Sequence, residues 1–345
     1  MNRLPRRLRL AAAIPLAILV NAALAGSASA HVKWFSGYDV AGQPRSLENV
    51  LGPDFEFLIG ISVLILMTGC LVEGTRLGAA MMRAMDRATR FVRDNTELMF
   101  RAGCGFFFVA VWAAGGMLLT PEMKTSSTAV EVLQLGIAAG LLSRRTMPLS
   151  ALGIVVLFAI AVWQYGVFHL ADYPVFLGVA VYLALVGLQR DLFGIRPLDL
   201  VRWTAAATLM WAAIEKWAYP EWSYPLLTEH PGMALGFDPE FFMRAAGAVE
   251  FSLAFTLMWT PLVRRFAAVL LATMFISAVF AFGKVDLIGH TLIVVVLFAV
   301  IADNGGKAVL VRYPWLAPIG YASALSGFLA IYYVAHAILF GTIIT

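Results

Sequence analysis

About ten apolar stretches, at 55–72, 102–120, 128–143, 149–168, 174–189, 202–219, 242–260, 265–282, 285–302 and 317–340, fill most of the sequence. Each is long enough to cross, or nearly cross, ~30 Å of hydrocarbon at ~1.5 Å of helical rise per residue. Such a chain has few folding options, because lipid offers no partner to a backbone N–H or C=O and helices satisfy both internally. The expected fold is all-α, a polytopic membrane helix bundle of about ten transmembrane helices. Composition agrees: 61% of residues are hydrophobic, 13% are charged and mean hydropathy is +0.82, outside the range of soluble domains. The bilayer is therefore the first partner. The net charge of +4 makes no case for nucleic acid, since Lys and Arg sit in short loops, where they set orientation.

The N-terminus reads as a processed segment. Arg3, Arg6, Arg7 and Arg9 form a basic region, Leu10 to Leu24 an apolar core, and Ala28-Ser29-Ala30 a cleavage site, the three parts of a secretory signal peptide. Cleavage would leave His31 first, on the periplasmic side of a bacterial cytoplasmic membrane. With that start the loops alternate, and those on the inner side collect Arg76, Arg83, Arg87, Arg90, Arg93, Arg101, Arg144, Arg145, Arg190, Arg196, Arg202, Arg264, Arg265, Lys307 and Arg312. This is the positive-inside pattern. Residues 75–97 alternate Arg with apolar side chains, suiting a helix laid on the inner leaflet. Residues 31–53 form an exterior segment, and the proline-rich 219–241 loop suits turns and short helices over the bundle. Trp163, Trp211, Trp217, Trp222 and Tyr224 read as an outer aromatic belt.

Two stretches share a plan, 98–198 and 199–303. In each, an inner Arg opens a helix and a Glu follows (Glu131 or Glu250). A paired Arg comes next (Arg144-Arg145 or Arg264-Arg265), and a later helix ends in Tyr165-Gly166 or Phe282-Gly283. Two four-helix units that start on the same side make a parallel repeat. The remaining segments are 54–97, a first transmembrane helix with its linker, and 304–345, a C-terminal helix.

The second unit contains Trp211-Ala-Ala-Ile-Glu215-Lys216-Trp217, Gly247-Ala-Val-Glu250-Phe-Ser-Leu-Ala and Arg264-Arg265-Phe-Ala-Ala. In these residues it resembles the DoxX/DoxD-like family of small four-helix membrane proteins. The resemblance implies a link to quinone-coupled oxidation, to membrane oxidoreductase complexes or to maturation of periplasmic enzymes. Gly115-Gly116 stand where Glu215-Lys216 would fall in the first unit, so a family site is expected in the second.

Charge placement points to the outer half of the membrane. Glu215 and Lys216 lie ~20 Å up from Arg202, and Glu250 ~21 Å up from Arg264. A lone ion at that depth costs several kcal/mol, so Lys216 is expected to pair with Glu250, and Glu215 needs a second donor. His290 falls at similar depth. Glu215, Lys216, Glu250 and His290 are the candidate catalytic group, either a proton-handling set beside a quinol headgroup or a structural ion pair. His31, freed by cleavage, could chelate copper through its amino and imidazole nitrogens together with His169, His230 or His336.

Cys70 and Cys104 form no Cys-x-x-Cys pair, and no nucleotide-binding glycine loop is present. Electrons would need a periplasmic or membrane redox partner or a bound metal. The leading expectation is a quinone-interacting oxidoreductase or a subunit of one. The alternatives are a periplasmic-side transporter or assembly factor for a small solute or copper, and a structural membrane subunit.

Overall fold

The computed structural model describes residues 32–305 and 313–343. The expected signal peptide, His31, Lys307 and Arg312 lie outside the described residues. The main helices are α1 (Pro53–Glu73), α2 (Arg76–Ala88), α3 (Thr96–Ala114), α4 (Thr128–Gly140) and α5 (Met147–Tyr165). They continue with α6 (Pro174–Leu188), α7 (Pro197–Ala218), α8 (Pro239–Leu257), α9 (Pro261–Ala302) and α10 (Leu316–Phe340). Among the described residues there is no strand, only isolated bridges such as Met117 with Lys124. The chain is all-helical.

Proline opens α1, α6, α7, α8 and α9 at the first turn, where its missing N–H costs nothing. Side chains supply other caps. Asp238 accepts from the N–H groups of Glu240 and Phe241 at the start of α8, and Glu73 at the end of α1 accepts from Leu262 N–H and Thr260 Oγ1 at the start of α9.

α9 is 42 residues, and a straight helix of that length would run ~63 Å. Yet Arg264 Nη2 lies 2.8 Å from Asp303 Oδ2, and the Phe275 and His290 rings stand 4.5 Å apart. The chain must therefore double back. It does so at Gly283, whose φ of 70° and ψ of −148° are open to glycine alone. α9 is thus an antiparallel hairpin of two arms, 261–282 and 284–302. Gly166, with φ 84° and ψ 156°, ends α5 in the same backbone region.

Five helices, α1, the α5 segment from Arg144, α3, α9 and α10, are long and apolar enough to cross a membrane. The ten apolar stretches are not ten such helices. The 102–120 stretch stops at Ala114, where Gly115 and Gly116 take positive φ, and α4 and α6 have only 13 and 15 residues, ~20 Å and ~22 Å of rise. α7 and α8 are long enough, but Arg202, Glu215, Lys216, Arg244 and Glu250 dilute their hydropathy. Phe57, Leu64, Ile65, Trp163, Phe280 and Ile338 project outward, a surface that suits lipid and not water. The expected aromatic belt is mostly not a belt: Trp163 is outward, but Trp211, Trp217 and Trp222 are buried among the helices.

Arginines gather one end of the bundle. Arg264 and Arg196 share Asp303, Arg196 and Arg202 share Asp199, and Arg202 donates to Leu257 O. Fully buried Arg265 donates to Ile301 O, to Asp86 on α2 and to Thr89, which fastens the 76–94 segment to α9.

Candidate functional site

At the opposite end, segment 32–45 is drawn across the mouths of α7 and α10. Arg45 N–H donates to Ala218 O, Tyr219 OH to Gly42 O, and Tyr333 OH to Arg45 O. His336 lies under this strap, with Nδ1 2.7 Å from Thr342 Oγ1 and Nε2 2.8 Å from Val40 O and 2.9 Å from Tyr219 OH. Both its nitrogens are occupied, so it fastens the strap and does not face a shared metal position with His169.

The strap inserts two side chains. Lys33, fully buried, places Nζ 2.7 Å from Glu215 Oε1 and 3.1 Å from Asp172 Oδ2. The Trp34 ring packs against Gly289, where any Cβ would collide with it, and its centroid is 4.7 Å from that of His290. A chamber of polar groups closes around Lys33. Glu122 and His169 enter it with buried side chains, His169 Nε2 standing 3.6 Å from Glu122 Oε1. Tyr173 OH donates to the same Glu122 oxygen, Tyr38 stacks on His169 at 5.6 Å, and Lys33 Nζ lies 5.9 Å from the Tyr38 and Trp222 ring centroids.

The chain breaks create this grouping. Gly115 and Gly116 release α3 into the Met117–Lys124 turn that carries Glu122. Gly166 releases α5 into the short helix Val167–Leu170, which carries His169, and the turn that follows it carries Asp172. Glu215 arrives from the last turn of α7. Burial alone would depress the Lys33 ammonium, but the Asp172 and Glu215 carboxylates outweigh it and hold Lys33 above lysine's ordinary pKa. Burial, with Glu122 beside it, pushes the Tyr38 phenol up to about 12. Tyr173 is likewise raised by burial and by Glu122 and Asp172.

The four residues expected to act together divide among three places. Lys216 Nζ does meet Glu250 Oε2, at 2.5 Å, beside a shallow cleft lined by Arg45, Trp217, Glu240 and Arg244. Glu215, the neighbour of Lys216, points instead to Lys33. His290 pairs with buried Asp286 on its own arm, Nδ1 to Oδ2 3.1 Å. Of the histidines expected to bind copper, His169 is in the Lys33 chamber, while exposed His230, in the 219–241 loop, sits edge-on to Phe282. Among the described residues, no three His, Cys, Asp or Glu side chains converge as a metal site.

Sequence reasoning expected the site in the second unit and missed Lys33, Glu122 and Asp172. Glu215's need for a donor was the available signal, and it did not say which lysine would answer. Comparison with protein families, curated proteins and solved structures finds no match for this chain.

Proposed function

We propose that this chain is a multi-pass protein of the bacterial cytoplasmic membrane, cleaved after Ala30. On this reading it works as a quinone-interacting oxidoreductase, or a subunit of one, at the exterior-facing chamber around Lys33. The DoxX-like character of 199–303, the parallel repeat and about ten crossings belong to the same reading. The arginine-rich ends opposite the chamber support the orientation.

The observation that carries the proposal is the gathering of Lys33, Glu122, Asp172, Glu215 and His169, all buried, at one end of an apolar bundle. Each ion taken from water costs several kcal/mol, and a single pair would be enough to fix helix register. A group with several carboxylates, a histidine and phenols is suited to receive the two protons a quinol releases on oxidation, one after the other. The two electrons go to a redox partner at the outer surface or to a bound metal, because buried Cys70 and Cys104 are free thiols.

The test is quinone retention and quinol oxidation by detergent-purified protein, with and without its native membrane partners. Retention weakened in Glu215→Gln and Lys33→Met, but not in Glu250→Gln, is the expected result. A protein that neither retains nor oxidises a quinone under any of these conditions would sink the reading.

A carrier or assembly factor for a small solute or metal is the second reading, favoured by the Asp286–His290 pair buried beside the Gly283 reversal. Uptake into proteoliposomes that Asp286→Asn abolishes would favour it over the first.

A further inference from the structure

At the end away from the Lys33 chamber, three arginines and two aspartates form a chain of ion pairs that stops one member short of a ring. Arg196, its side chain 38% exposed, takes both carboxylates in bidentate fashion. Its Nε and Nη2 reach the Asp199 oxygens at 2.8 Å each, and its Nη1 and Nη2 reach those of Asp303 at 2.9 and 3.0 Å. One oxygen contact is left for each of the other two arginines. Arg202 Nη2 lies 2.6 Å from Asp199 Oδ1, and Arg264 Nη2 lies 2.8 Å from Asp303 Oδ2. Arg202 and Arg264 are thus the two ends of the chain, and both are buried, at 4% and 3% exposed.

These two ends share one deficiency. Arg202 Nε and Arg264 Nε are buried and make no hydrogen bond among the described residues. Arg202 also donates to Leu257 O and Arg264 to Gly305 O, neutral carbonyls that accept hydrogen bonds and cancel no charge. Charge runs short in the same place. Three guanidinium groups meet two carboxylates, and among the described residues no third carboxylate pairs with any of the three. Arg202 stands close enough to Arg264 for their charges to repel. Two like charges held together inside a protein, each with an idle N–H, call for an acceptor that is itself negative. A water molecule would take the hydrogen bonds and leave the charge. A phosphate would bring four oxygens to two enclosed donors, whereas a halide is one acceptor that both can share.

We propose that Arg202 and Arg264 bind one chloride-sized monovalent anion between their Nε–H groups, closing the ring Arg264–Asp303–Arg196–Asp199–Arg202. The ion joins α7 to the first turn of α9. The site lies apart from the Lys33 chamber and depends neither on quinone chemistry nor on N-terminal cleavage.

The experiment is thermal unfolding of the detergent-purified protein in sodium gluconate, with chloride or bromide replacing gluconate at constant ionic strength. Holding ionic strength fixed removes screening as a cause, and gluconate is too large to sit between the two Nε atoms. The expected result is a midpoint that climbs with the logarithm of halide concentration once the site fills, as ligand linkage requires. Arg264→Gln removes the surplus charge and one idle donor, and it should lower halide affinity at least tenfold, as should Arg202→Gln. Arg83→Gln, at an exposed position of α2, should leave the halide response unchanged. A midpoint indifferent to the exchange of gluconate for halide, or a response that survives in Arg264→Gln, overturns the site. If the variants at Arg202 and Arg264 do not fold, anomalous diffraction from wild-type crystals grown in bromide decides. A bromide peak within hydrogen-bond reach of both Nε atoms supports the site. No peak there, or a lipid phosphate in that position, overturns it.

Discussion

Lys33 Nζ lies 2.7 Å from Glu215 Oε1, an ion pair between residues 182 positions apart that pins the 32–45 strap to the last turn of α7. Asp172 takes the other side of the same ammonium at 3.1 Å. Replacing Lys33 with Met keeps much of its volume but leaves both carboxylates without their lysine in a low-dielectric chamber. Losing one partner of a buried ion pair costs about 3–5 kcal/mol. Lys33→Met is expected to lower the thermal midpoint of the detergent-solubilised protein far more than Lys33→Arg. Equal loss in the two variants would mean that shape, and not charge, holds the strap.

The same lysine sets an alkaline limit. Its folded-state pKa is raised above the value of about 10.4 that it has in the unfolded chain. Its contribution is therefore fully present below pH ~10.4 and is lost as pH rises through the higher folded value. Tyr38, pushed up to about 12, acts in the same direction, because the unfolded phenol ionises near pH ~10 while the folded one stays neutral. Stability should thus fall with rising pH from about 10 upward. Thermal midpoints taken from pH 8 to pH 11 should decline more steeply in the wild type than in Lys33→Met. Parallel curves would contradict the assignment.

Gly283 makes the hairpin possible, and no atom lies within 4 Å of where its Cβ would be. Gly283→Ala should therefore act through backbone strain alone, at about 1–3 kcal/mol. Gly166→Ala meets the same open space and the same backbone region, so it should cost a similar amount. Differential scanning of both variants checks this. A Gly283→Ala protein as stable as the wild type would mean that the reversal tolerates other backbone conformations.

The helical character was legible in the sequence because it follows from a local rule, apolar run length. Lys216 with Glu250 was legible as well, since rise counted along the two helices places both at one depth. The Lys33 chamber was not. Its members come from a loop, the stretch after Gly166, the end of α7 and the 32–45 strap, and no period in the sequence relates those four places. Glu215 and Lys216 were grouped because they are adjacent, yet adjacent residues on a helix point about 100° apart, so one faces Lys33 and the other Glu250. Hydropathy ran past the helix end at Gly115 and Gly116, whose positive φ stops α3 at Ala114.

Arg265 joins the two arms of the α9 hairpin and the 76–94 segment at one point. Its guanidinium donates through Nε to Ile301 O at 2.7 Å, through Nη1 to Asp86 Oδ1 at 2.6 Å and through Nη2 to Thr89 Oγ1 at 3.1 Å. Three acceptors in three directions match the planar fork of arginine, and a lysine ammonium at that position cannot reach all of them. Arg265→Lys should therefore behave much like Arg265→Ala, with a stability loss of about 3–5 kcal/mol, the range for breaking a buried pair. The loss should be local in its first effect. Hydrogen exchange across 76–94 should speed up well before the rest of the bundle opens, because Asp86 and Thr89 lose the group that ties them to α9. Exchange in 76–94 that stays at wild-type rates in Arg265→Ala would show that this segment is held by its apolar contacts and not by the arginine.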